Sequence, residues 1–412
     1  MRAALERRPY LAALAVWAAW LAGLLATLAI GVATGAIADP HHSWFHYGGF
    51  LWPLFSWDFG WYHSIALRGY PAGHSGREYA FFPLWSLLLS WAGPVAVWVA
   101  AFMLSLVSSA GAFLAVGAAN PRQRIWQSAV ALACFPGSFA LLLAYPDALA
   151  LAAAAGAAAL AMRGRPIPAA LLAAVAATAR PNAFLIAIPL AAIARGRSRI
   201  YWVTAAAPIA AAAAVHGYFW SRSGVWDPFL RAQSQWHRGG PGTFRTWTLH
   251  VSHALERHAA IAIPLALVGA AVLVFLWRSR PRYGLWVAYA LVVAALLAGT
   301  QSTRTLTESA RAAVILPLCL LLWRFGREYR PWAVFATVVV ALSLASGTIQ
   351  SFGRQALFAF PILWAASDGP RFLRRPPVIA RRSYSGISPP PSFARAPRKP
   401  SSPSCSRTPG GT

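Results

Sequence analysis

Asp58 stands in WDFGWYHSIALRGY, residues 57–70, with two tryptophans, a histidine and an arginine, in a chain otherwise dominated by alanine, leucine and valine. A carboxylate in that setting has two physical uses. It can cap a helix by accepting the free N–H groups of the first turn, or it can act as a general base toward an acceptor hydroxyl arriving at the membrane surface. The uses conflict in part, because a cap stabilises the ionised carboxylate and lowers its proton affinity. Arg180, in ARPNAF (179–184), joins two apolar runs. A charge there is expensive unless it faces a protein cavity, which is where it is expected. The histidines at 41, 42, 46, 250 and 253 have no compact cysteine or carboxylate set beside them, so they read as interfacial loop residues rather than metal ligands. His63, five residues beyond Asp58, is more than one helical turn away and points elsewhere.

The composition dictates the kind of scaffold that must position these groups. Of 412 residues, 58% are apolar and only 11% charged, far from soluble-domain averages. Apolar windows long enough to cross a membrane recur along most of the chain. Spans are expected near 11–32, 83–118 (a short dip, then a full crossing, broken at Pro94), 125–143, 147–162 and 200–220. Others follow near 259–277, 283–299, 312–323, 331–346 and 355–366. The pieces 167–179 and 182–194 predict a helical hairpin with Arg180, Pro181 and Asn182 at its apex. Each piece is only about 20 Å long, so the apex would lie in a protein-lined part of the membrane. After Asp58, the apolar residues Phe59, Tyr62, Ile65 and Ala66 form a helical stripe. That stripe predicts a short amphipathic helix at the membrane interface, with Trp57 and Trp61 at headgroup level. The expected fold is an all-α polytopic integral membrane bundle of roughly ten to thirteen embedded segments, its first loop carrying interfacial helices.

Thirty-six Lys and Arg against ten Asp and Glu give a formal charge of +26. The arginines fall in short clusters between apolar runs and in the tail, not on a folded basic face, so nucleic acid is excluded as a partner. Retention of basic loops in the cytoplasm explains them. With the clusters inside, the loops at 33–80, 145–147, 221–257, 301–311 and 347–354 face outward, taking most of the carboxylates with them. Residues 1–369 form one membrane domain. The tail 370–412, rich in Pro, Ser and Arg and free of acidic residues, is expected to be disordered against the anionic inner leaflet. Cys134, Cys319 and Cys405 offer no disulfide framework. Heavy use of Ala, Arg, Gly and Pro with the single lysine Lys399 suggests a GC-rich bacterial genome, and hence a bacterial plasma membrane protein.

Five blocks in order resemble the PIG-V-type mannosyltransferases of the GT-C glycosyltransferase superfamily. WDFGWYHSIALRGYP with REYAFFPLWSLLL from Arg77 is similar to that family's first-loop pattern. CFPGSFALLLAYPDALA from Cys134 resembles its second block, with Asp147 where glutamate is usual. ARPNAF, WDPFLRAQSQWHR from Trp226 and GRQALFAFPILW from Gly353 resemble three more, with Ala183 in place of glycine and Gln355 in place of tyrosine.

The resemblance implies a GT-C-type bundle with its active site on the extracytoplasmic face. It further implies inverting transfer of mannose from a polyprenyl-phosphate-mannose donor to an acceptor hydroxyl, as in GPI-anchor assembly. In a bacterium the acceptor would be a lipid-linked or other glycan, a cell-wall polymer or a protein. Asp58 takes the role of base. Arg180 and Arg354 are the expected phosphate ligands, since a guanidinium binds phosphate oxygens bidentately, with Arg238 and Arg311 in reserve. Glu78, Asp147, Asn182, Gln233 and Trp236 are the expected sugar or acceptor contacts; loop packing and helix capping are the alternative uses of Glu78 and Asp147. No cofactor is required, although Asp58 with Glu78 or Asp147 could offer carboxylates to Mg²⁺ or Mn²⁺. Further partners are membrane lipids and, as an open case, a small membrane subunit. The rival reading is a transporter or flippase of a lipid-linked sugar, with Arg180 and Asp147 lining its route.

Overall fold

The computed structural model describes residues 6–37, 50–235, 311, 315–316, 318–323, 325–345 and 351–368. Among them, every regular element is helical. The α-helices are α1 (Pro9–Ala33), α2 (Phe59–Arg68), α3 (Pro83–Ser90), α4 (Gly93–Ala118), α5 (Ile125–Ala133), α6 (Asp147–Met162) and α7 (Pro166–Ala179). They continue with α8 (Ala187–Ala194), α9 (Trp202–Ser223), α10 (Pro228–Gln235), α11 (Arg330–Ala345), α12 (Phe352–Ala356) and α13 (Pro361–Asp368). Among the described residues, three helical stretches are long and apolar enough to cross a membrane: Pro9–Ala33, Ala96–Ala118 and Arg199–Ser223. The spans expected at 259–277 and 283–299, residues 312–314 and 317 of the one expected at 312–323, and the tail lie outside the described residues.

Proline and glycine set the boundaries. Proline occupies the first turn of α1, α3, α4 and α7, where its missing N–H leaves no hydrogen bond unmade. The expected break inside 83–118 is present, made by Gly93 at φ 69° between α3 and α4. The hairpin is present too. Arg180 precedes Pro181, and pre-proline crowding disfavours helical backbone, so α7 stops at Ala179 and Arg180 is extended at φ −140°, ψ 138°. Two expected spans need correction. The run 125–143 is not one helix: α5 ends at Ala133, because Pro136 has no N–H and its ring would strike the carbonyl of Leu132. The run 355–366 likewise divides into α12 and α13, with Pro361 opening the second helix.

The irregular stretch after α5 is buried, so its backbone polar groups need partners from the protein. Ser105 Oγ donates to the Leu143 carbonyl at 2.8 Å and Trp85 Nε1 to the Ala144 carbonyl at 3.1 Å. The Ala144 N–H in turn donates to the Leu54 carbonyl at 3.0 Å. These bonds tie the stretch to α4, to α3 and to the first loop.

Two cores meet at that stretch. The larger is alanine-rich and formed by α1, α4–α8, α11 and α13, with α6 and α7 packed closely at its centre. Small residues permit the close approach: a Cβ on Gly156 of α6 would lie 2.9 Å from Leu172 Cδ1 of α7. The second core is aromatic. Phe59, Tyr62, Tyr70, Tyr79, Phe82, Trp85 and Phe219 join α2, α3 and the end of α9.

The helix lengths place the junction of the two cores. At one end of the bundle Arg163 bonds to Tyr10 and to the Ala118 carbonyl, while Arg197, just before α9, bonds to the Ala161 and Met162 carbonyls at the end of α6, so α1, α4, α6, α7 and α9 share a level there. From that level α9 runs 22 residues but α7 only 14. The difference of eight residues leaves the α7 terminus about 12 Å short of the far end of α9. At that far end Arg222 Nε donates to the Tyr70 carbonyl at 3.2 Å, fastening the aromatic cap to α9.

Candidate functional site

The recess left by the short helices holds charge. Asp147 opens α6 and Arg180 follows the last residue of α7. These ends suit them, because a helix N-terminus favours an anion and a C-terminus a cation. The helices lie side by side, and Arg180 Nη1 donates to Asp147 Oδ2 at 2.9 Å with the side chains 11% and 5% exposed. The side-chain hydrogen bond of Asp147 thus goes to Arg180 and does not cap its own helix.

Asp58 enters from the aromatic cap, immediately before α2. Its side chain makes no capping hydrogen bond either. Arg354 Nη2 donates to Asp58 Oδ2 at 2.7 Å, and Arg354 Nε lies 3.8 Å from Asp147 Oδ1. The result is a row of alternating charge, Asp58–Arg354–Asp147–Arg180, drawn from four separate segments and neutral in sum. Arg354 also lies 5.0 Å above the ring of Tyr145, and the buried Tyr145 hydroxyl accepts the Asp58 N–H at 3.0 Å.

Arg354 reaches this place by a close backbone approach. A Cβ on Gly137 would sit 2.1 Å from the Gly353 carbonyl oxygen and 3.2 Å from the Arg354 nitrogen. Only glycine at 137 lets α12 settle against the irregular stretch.

Asp147, Leu151, Arg180, Asn182, Arg354, Gln355, Leu357 and Phe358 line a cleft on this row. Its free space is about 10 Å³, room for roughly one water. Asn182 Oδ1 is buried here without a hydrogen-bond partner. Such an acceptor is unfavourable unless something else satisfies it, so Asn182 is equipped to receive a ligand's hydroxyl.

The other expected residues stand elsewhere. Glu78, on the turn Arg77–Ala80, and Gln233, on α10, do not line the cleft. Arg311 is buried with its guanidinium 5.3 Å from the Phe139 ring, also off the cleft. Trp236 and Arg238 lie outside the described residues, as do the five loop histidines. His63 points away from Asp58, into an aromatic contact with Phe59 and Trp98. Burial, with the charge of Arg68 second, holds its imidazole below the usual range. Among the described residues no three His, Cys, Asp or Glu side chains converge as a metal site.

Sequence reasoning missed Tyr145 and Gly137. Tyr145 had a signal, two residues before Asp147, but nothing in its spacing shows a bond to Asp58 across 87 positions. Compared with family models, curated proteins and solved structures, the chain matches none.

Proposed function

We propose that this protein is a polytopic membrane glycosyltransferase that moves mannose from a polyprenyl-phosphate donor to an acceptor hydroxyl on the extracytoplasmic face. The observation that supports it is the row Asp58–Arg354–Asp147–Arg180, of which Arg354, Asp147 and Arg180 line one recessed cleft while Asp58 joins them from beside it through Arg354. In the reaction, the acceptor oxygen attacks the anomeric carbon as the bond from that carbon to the phosphate oxygen breaks. The lipid phosphate leaves with the bonding pair, the configuration inverts, and the acceptor proton passes to Asp58. The leaving phosphate needs cations, and Arg180 and Arg354 are the candidates. Both guanidiniums are engaged by carboxylates, so the donor phosphate must exchange with at least one of them. Exchange at Arg354 releases the Asp58 carboxylate toward the acceptor. Asn182 Oδ1 and Asp147 are then placed to accept sugar hydroxyls.

The rival reading, transport of a lipid-linked sugar, draws support from the broken backbone beside the charge row, a feature of transporter sites. Transfer from radiolabelled polyprenyl-phosphate-mannose by membranes containing the protein separates the two readings. A transferase moves label to an acceptor, and Asp58→Asn lowers the rate by about 10²–10⁴-fold, the range for a general base. A transporter leaves the label on its carrier. Undiminished transfer by Asp58→Asn would remove that residue as the base.

A further inference from the structure

Trp57 is strained. Its φ is 55°, in the left-handed region that a bulky side chain rarely adopts. Its own ring does not hold it there, since the residue is 53% exposed. The peptides on either side are held instead: the Ser56 carbonyl takes a long bond from the Phe59 N–H at 3.4 Å, and both peptides bond to one side-chain atom. The Tyr145 hydroxyl accepts the N–H of Asp58 at 3.0 Å and donates to the carbonyl of Ser56, so it brackets Trp57 from both flanks. Tyr145 is itself fully buried, next to Tyr62 and beneath the Arg354 guanidinium. Deleting its hydroxyl would leave those ring contacts intact and remove only the bracket.

Strained backbone persists only where its surroundings over-determine it, and it clusters where a side chain has to be aimed. Relaxation of Trp57 to negative φ would rotate the peptide that leads into Asp58 and swing the carboxylate away from Arg354. We infer that the Tyr145 hydroxyl is a positioning group: it holds Trp57 in the left-handed conformation and so directs Asp58 at Arg354 and the cleft. The catalytic value of that aim rests on the glycosyltransferase reading; the bracket itself does not.

A mutant cycle on the full chain in detergent tests it. Glycine adopts positive φ without strain, so Trp57→Gly should make the bracket unnecessary. Thermal unfolding midpoints are measured for wild type, Tyr145→Phe, Trp57→Gly and the double variant, together with kcat and donor KM for mannosyl transfer. Tyr145→Phe is expected to lower the midpoint and to cut kcat about tenfold or more with donor KM little changed, as for loss of an interaction that matters in the transition state. In the Trp57→Gly background the same substitution is expected to change kcat by less than about threefold but to lower the midpoint further than in wild type, since no strain is relieved there, a non-additivity that marks coupled residues. Equal effects of Tyr145→Phe in both backgrounds would overturn the inference, because the hydroxyl would then act without Trp57. Should Tyr145→Phe not fold, Trp57→Gly against Trp57→Ala decides: the glycine variant is expected to melt higher, since alanine retains the strain, and an equal or lower midpoint refutes the bracket. If wild type transfers no sugar, the glycosyltransferase reading falls while the midpoint cycle still judges the bracket.

Discussion

At the scale of single residues, Asp147 and Arg180 are the most deeply buried ion pair in the site, and that burial makes each dependent on the other. Asp147 is almost wholly enclosed, with Arg354 Nε its next nearest cation at 3.8 Å. Breaking a buried pair by removing one partner leaves an uncompensated charge, at a cost of about 3–5 kcal/mol, whereas replacing both by apolar residues of similar volume is often neutral. Arg180→Ala is therefore expected to destabilise the protein by that amount, and Arg180→Leu with Asp147→Leu by clearly less. Thermal unfolding in detergent measures both, and a double variant weaker than the single would contradict the pairing. The identities of Asp58, Arg180 and Arg354 could be chosen from sequence because charge is so scarce in an apolar chain. Their pairing could not. Asp58 and Arg354 are 296 positions apart, and two equally plausible contacts, Glu78 and Gln233, sit off the cleft.

At the scale of elements, the site depends on where helices stop. Pro181 ends α7 so that Arg180 turns toward α6, and the glycine at 137 lets α12 reach the same level. Gly137→Ala would drive a methyl group into the backbone of Gly353, which cannot move as a flexible side chain would. The expected result is displacement of Arg354, with loss of transfer activity and destabilisation of about 1–3 kcal/mol, the range for overpacking. Full activity in Gly137→Ala would show that α12 can shift without harm. Helix α2 carries a pH dependence of its own. Burial and Arg68 depress the His63 pKa in the fold, so on acidification the unfolded chain takes up the proton first. The stability contribution is complete above about pH 6.5, the ordinary histidine value, and is lost as pH falls below it. Melting midpoints taken from about pH 7.5 to 5.5 should fall, and His63→Gln should flatten part of that fall. An unchanged slope in the variant would show that His63 does not contribute to it.

At the scale of the whole molecule, the site sits about 12 Å below the far end of α9 rather than at the rim, beneath a cap of aromatic rings. The proposed orientation rests on the arginines near Arg163 and Arg197 at the opposite end of the bundle. A membrane-impermeant thiol reagent is expected to label His74→Cys, on the cap, from outside intact cells, and Ser198→Cys only after permeabilisation. The reverse pattern would place the cleft on the cytoplasmic side and end the extracytoplasmic proposal. By itself the sequence determined that the chain is apolar and its described residues helical, where α1, α6, α7, α9 and α11 begin and end, and which few ionisable groups are too costly to be incidental, because these depend on local composition and on proline and glycine. Only the tertiary structure decided that Asp58 serves Arg354 instead of capping α2, and that Tyr145 brackets a strained tryptophan. Those outcomes depend on packing between segments far apart in the chain, where burial forces each polar group to find whichever partner the fold brings within reach.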